Sequence, residues 1–118
     1  MFAEVSSPAT PRDIDTTELA TRLNGSQPPV VAEILGPRSF DAGHLPGAVN
    51  LPLEGFAESA ARLLPNPNAE IVVYCASATC QNSHLAQRKL SSLGYQNVRL
   101  YRGGKAAWTE AGLALSTT

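Results

Sequence analysis

Cys75 and Cys80 are the two cysteines of the chain and lie five positions apart. A thiolate is a strong nucleophile, and it forms most readily beside a helix N-terminus. Cys75 closes the apolar run Ile71-Val72-Val73-Tyr74. The small, polar stretch Ala76-Ser77-Ala78-Thr79 then leads to Cys80 and Gln81. Side chains this small let a backbone curl around an anion, so that amide N–H groups of residues 76 to 81 face it, with hydroxyls of Ser77, Thr79 and Ser83 as further donors. Such a cradle suits a thiolate or a persulfide anion. Position alone also admits a buried, inert cysteine at a strand end. Cys80 stands across the loop. It is placed either to resolve a persulfide or sulfenate on Cys75 by disulfide formation, or to pack beneath the helix start. A zinc set of Cys75, Cys80 and His84 lacks a fourth ligand, so no metal is expected. His44, in Gly43-His44-Leu45-Pro46-Gly47, is read as a turn-holding residue bonded to backbone, ahead of a base for Cys75. No residue pattern calls for a cofactor.

The elements that position these residues alternate. Asp15 or Thr16 caps a helix with the apolar stripe Leu19, Ala20 and Leu23, which Asn24-Gly25 stops. Val30 to Leu35 reads as a buried strand, Ser39 to Ala42 as a helical turn, and Ala48 to Pro52 as a short strand. Leu53 to Leu64 has helical spacing. Ile71 to Tyr74 is a strand ending at Cys75, and a helix from Asn82 or Ser83 runs to Leu93. Val98 to Tyr101 is the last strand, Gly103-Gly104 a turn, and Lys105 to Ala111 a short helix with Trp108 packed on the sheet. Strands alternating with helices predict an α/β fold, a central parallel sheet of four or five strands with helices on both faces. Ligands of such sheets bind beyond the carboxyl ends of the strands, where Cys75 lies.

The 118 residues suit one domain, predicted over 13–118 with residues 1–12 as a flexible arm. With 43 % hydrophobic residues and a net charge of −1, the chain can build a core and lacks the basic excess of a nucleic-acid binder. No apolar run approaches the ~20 residues that span a bilayer, so no membrane contact is expected. The first residues lack the basic start and apolar stretch of a secretory signal, so a cytoplasmic location is expected. Two cysteines in such a chain are not a disulfide framework.

The segment from Ile14 to Leu113 resembles a single rhodanese domain. Ile14-Asp15-Thr16-Thr17-Glu18-Leu19 is similar to the family's opening helix. Phe40 to Pro52, with Gly43-His44-Leu45-Pro46-Gly47-Ala48 inside it, is similar to its Gly-His-Ile-Pro-Gly-Ala segment. Val72-Val73-Tyr74-Cys75 resembles the strand that delivers its catalytic cysteine. Gly94-Tyr95 to Val98, then Tyr101-Arg102-Gly103-Gly104 and Trp108, resembles its closing strand and Gly-Gly-x-x-x-Trp turn. The resemblance implies a sulfurtransferase. Cys75 would cycle between thiolate and persulfide, moving a sulfane sulfur from a donor (thiosulfate, a persulfide or a persulfide-carrying partner protein) to cyanide or a thiol.

Three departures stand out. Glu33-Ile34-Leu35 replaces the family's Asp-Val-Arg. No Lys or Arg lies between Arg62 and Arg88, so the loop is uncharged. Thiosulfate is a dianion, which makes a persulfide or partner protein the preferred donor. Arg102 is the candidate substrate cation, with Lys105 three positions on, both approaching from another loop. Finally, the stretch from Cys75 to Gly94-Tyr95 is a residue or two longer than in common members. Phosphatases and arsenate reductases on this fold use a longer loop closed by an arginine. Gln81 stands here instead, which disfavours phosphate chemistry. Two other readings remain: a thiol-redox protein with a reversible Cys75–Cys80 disulfide, and a non-catalytic interaction module.

Overall fold

The computed structural model describes residues 13–117; the predicted arm 1–12 and the last residue lie outside them. Four strands form one parallel sheet: β1 (Val30–Glu33), β2 (Val49–Asn50), β3 (Ile71–Tyr74) and β4 (Val98–Tyr101), in the order β2-β1-β3-β4. Five helices connect and flank them: α1 (Thr16–Leu23), α2 (Pro37–Ala42), α3 (Phe56–Leu63), α4 (Asn82–Ser92) and α5 (Gly104–Glu110). A bridge from Asp13 to Leu100, with the Ile14 amide 3.0 Å from the Leu100 carbonyl, extends the β4 edge, and among the described residues it makes no fifth strand.

Side chains alternate between the two faces of a strand. Ala32, Ile71, Val73, Val98 and Leu100 face one core with Phe56, Ala60, Ala86 and Leu90 of α3 and α4. Val31, Val72, Tyr74 and Tyr101 face the other, with Leu19 of α1 and Trp108 of α5. Trp108 meets Tyr101 edge-on and donates from Nε1 to the Ala114 carbonyl at 3.0 Å. Both faces are therefore covered, as a parallel sheet requires.

Several boundaries differ from the sequence expectation. β1 ends at Glu33, although the Ile34 amide still reaches the Tyr74 carbonyl at 2.9 Å, because Gly36-Pro37 turns the chain away. α2 begins at Pro37, whose fixed φ suits the first helical position. α3 begins at Phe56 and not Leu53, because Gly55 adopts φ +65° at its N-cap. β2 shortens to two residues. Among the described residues no helix is long and apolar enough to cross a membrane.

Candidate active site

In parallel register, Asn50, Glu33, Tyr74 and Tyr101 align across the carboxyl end of the sheet. Cys75 follows Tyr74, so its side chain takes the α3/α4 face while Tyr74 takes the opposite one. The cysteine is 1 % exposed, and its Sγ lies 3.5 Å from the Ser83 hydroxyl in the first turn of α4. That turn has amides with no carbonyl one turn back and the positive end of the helix dipole.

The loop curls as the small residues suggest. Ser77 Oγ and Thr79 Oγ1 are 3.1 Å apart, and the Cys80 amide donates to the Ser77 carbonyl at 3.1 Å. The Cys80 N–H is thus spent within the loop, a correction to the expectation that all amides of residues 76 to 81 serve an anion. The amides of Ala76, Ser77, Ala78, Thr79 and Gln81 find no acceptor among the described residues. Cys75 and Cys80 are joined as a disulfide, with Cα atoms 6.3 Å apart. The loop therefore brings the two sulfurs together, and Cys80 does not pack away beneath the helix.

The Gly-Gly turn fixes the loop's other wall. Gly104 has φ +63°, and a Cβ there would stand 2.2 Å from the Cys75 carbonyl oxygen. This close approach lets the Lys105 amide donate to the Cys75 carbonyl (3.1 Å) and the Ala106 amide to the Ala76 carbonyl (3.0 Å). Asn82 Nδ2 adds a bond to the Ile34 carbonyl at 3.0 Å, tying the start of α4 to the end of β1.

The candidate cation, Arg102, is half-exposed and bonded to Asp13 at 2.9 Å. Lys105 turns into the molecule instead. Its Nζ lies 3.1 Å from Glu33 Oε2 and donates to the Ser39 carbonyl at 2.7 Å. Glu33 is fully buried. Its Oε1 accepts the Tyr74 hydroxyl at 2.7 Å, and the Tyr74 oxygen accepts the Leu45 amide at 3.0 Å. Burial first, and the bond to Glu33 second, raise the Tyr74 phenol well above its ordinary pKa, so it remains a donor. Sequence reading missed this relay. Its one signal was a glutamate in an otherwise apolar strand, which required a buried partner. His44 stacks on Phe40 at 3.8 Å, with Nδ1 2.8 Å from the Phe40 carbonyl, so its ring holds the turn. His84 is half-buried on α4.

Comparison with known proteins agrees with this geometry. A family model described as rhodanese-like domain matches residues 15–111. A sulfurtransferase of Allochromatium vinosum is 30 % identical, over 87 % of this chain and 92 % of its own length. The thiosulfate sulfurtransferase PspE of Escherichia coli is 33 % identical, over 68 % and 79 %. The HTH-type transcriptional regulator Rv0324 of Mycobacterium tuberculosis is 32 % identical over 85 % of the chain, which spans 42 % of that protein. The solved structure of the Alr3790 protein from Anabaena superposes with a TM-score of 0.80 at 27 % identity, covering 88 % of this chain and 91 % of that one. Domain match, strand order and relatives concur: the chain belongs to the rhodanese-like domain family.

Proposed function

We propose that the chain is a sulfurtransferase whose sulfur carrier is Cys75. The observation that carries this reading is the placement of a buried cysteine at the end of β3, against the first turn of α4, inside a loop with uncommitted amides. The reduced Cys75 thiolate attacks the sulfane sulfur of a donor, the donor's remainder leaves with the bonding pair, and a Cys75 persulfide results. The loop amides and the α4 dipole stabilise its negative charge. A thiol, or cyanide in an assay, then takes the outer sulfur and returns the thiolate.

The donor class follows from charge. The loop carries no cation, Lys105 is committed to Glu33, and Arg102 to Asp13. A persulfide, free or on a partner protein, suits this site better than dianionic thiosulfate, although a relative is named for thiosulfate. Intact mass tests both points, after incubating reduced protein with glutathione persulfide or with thiosulfate. The expected result, read in a Cys80→Ser background so that Cys75 is the one thiol of the loop, is a gain of one sulfur that is faster with the persulfide, is absent when Cys75→Ser is added, and is reversed by cyanide. Faster loading from thiosulfate would overturn the donor preference; equal loading of Cys75→Ser would overturn the carrier.

The Cys75–Cys80 bond favours one alternative, a thiol-redox protein. On that reading mild oxidation removes two thiols, both cysteines are required, and no donor loads sulfur.

A further inference from the structure

Sulfur transfer needs one cysteine, and this loop supplies two. Both ends of the loop are anchored. Lys105 and Ala106 hold the carbonyls of Cys75 and Ala76, and the Cys80 amide is tied to Ser77. In this arrangement the Cys80 sulfur reaches the Cys75 sulfur, with Cα atoms 6.3 Å apart, within the ~4.4–6.8 Å that disulfides span. The inner sulfur of a persulfide on Cys75 is that same Sγ atom. The outer sulfur is a good leaving group, since hydrogen sulfide is more acidic than an alkyl thiol, and exchange is faster the lower the leaving group's pKa.

We propose that Cys80 is an internal acceptor that discharges the Cys75 persulfide as sulfide. The chain thereby converts a sulfane donor and two molecules of a thiol reductant into hydrogen sulfide, the donor's remainder and a small-molecule disulfide. This inference rests on the sulfur-transfer reading above. In the discharge step the Cys80 sulfur attacks Cys75 Sγ and gives up its proton. The Cys75–Cys80 bond forms, the bond from Sγ to the outer sulfur breaks, and the electron pair leaves on the outer sulfur. That sulfur takes the proton and departs as HS⁻. The sulfane sulfur is reduced to sulfide while the two cysteines are oxidised together to the disulfide, so no external oxidant is needed.

The disulfide is reset by a low-molecular-weight thiol. Cys80 is half-buried while Cys75 is 1 % exposed, so the reductant attacks Cys80 and expels the Cys75 thiolate. A second thiol frees Cys80 and leaves as the oxidised small-molecule disulfide. The buried cysteine is thus released first, ready for the next donor.

The test is a single turnover of reduced, desalted protein with excess thiosulfate, and in parallel with glutathione persulfide, no other thiol being added. Sulfide, protein thiols and intact mass are measured, with sulfite for the thiosulfate arm. With thiosulfate, wild type is expected to release one sulfide per chain, lose both thiols and retain no extra sulfur. With glutathione persulfide, whose remainder is a thiol that resets the disulfide, it is expected to release sulfide repeatedly and likewise retain no extra sulfur. Cys80→Ser and Cys80→Ala are expected to keep the added sulfur and to release sulfide at least tenfold more slowly. Wild type that retains the added sulfur with Cys80 free, or Cys80 variants that release sulfide as fast as wild type, would overturn the internal acceptor and leave sulfur transfer standing. Proteins that neither gain nor release sulfur with either donor would overturn both.

Discussion

Lys105 touches the Cys75 loop through its backbone, while its charge is paired with a carboxylate of another strand. Its amide holds the Cys75 carbonyl, while its ammonium meets a fully buried Glu33. A buried pair adds little net stability, but removing one partner strands the other charge, at about 3–5 kcal/mol. Lys105 retains 16 % side-chain exposure, which places the expected loss for Lys105→Met near the lower end of that range. Urea denaturation of the reduced proteins checks it. Glu33→Gln added to Lys105→Met should recover part of the loss, because no uncompensated charge then remains. A double variant as unstable as the sum of the two singles would argue against the pair. Cys75 was legible in the sequence because its strand, loop and following helix are contiguous. Glu33 and Lys105 were not, because β1 and α5 meet only through the sheet's topology. Nor could the sequence say which side of Gly103-Gly104 turns inward: Arg102 points to Asp13 and Lys105 to Glu33.

At the scale of elements, β3 and β4 were readable to the residue. Each is a short run dominated by apolar and β-branched residues, and in β3 both faces are buried. α1 was readable to within one residue, with Asp15 or Thr16 as its cap; the Glu18 amide donates to Asp15 Oδ1 at 2.8 Å, which settles it on Asp15. Asp15→Ala is expected to cost about 1 kcal/mol, read as a shift of the urea midpoint at unchanged slope. The starts of α2 and α3 were less legible, since periodicity does not say whether Pro37 opens a helix or Gly55 holds one off. The start of α5 rests on Gly104. Alanine there meets both a positive φ and the Cys75 carbonyl oxygen at 2.2 Å. The backbone contact cannot relax without moving α5 from the loop. Gly104→Ala should therefore lose more than about 1 kcal/mol and also slow sulfur loading of Cys75. Asp15→Ala should lose stability alone. Equal loading rates in the two variants would show that the Gly104 approach does not shape the loop.

Across the whole molecule, the two cysteines sit at the carboxyl end of the sheet and an ion network at the other. Glu70, just before β3, meets Arg22 of α1 through both terminal guanidinium nitrogens and lies 3.5 Å from Arg99 of β4, which reaches Glu18 at 2.9 Å. The network pins α1 to the strands' amino ends. The hydrogen bond from Arg22, with charge contributions from Arg22 and Arg99, holds the Glu70 carboxyl below its ordinary pKa against the opposing effect of burial. A depressed carboxylate stabilises the fold fully above its unfolded value of about 4.3, and that stability is lost as pH falls through the lower folded value. The difference in stability between wild type and Glu70→Gln should therefore be constant from neutral pH to roughly pH 5 and shrink below about 4.3. Chemical denaturation across that range measures it. A gap that persisted unchanged into strong acid would mean that the carboxylate's charge contributes nothing. Because Glu70 lies at the end of the sheet remote from Cys75, the same substitution should leave sulfur loading at neutral pH unaltered. A slowed loading rate would instead mean that α1 and the sheet transmit the network's state to the loop.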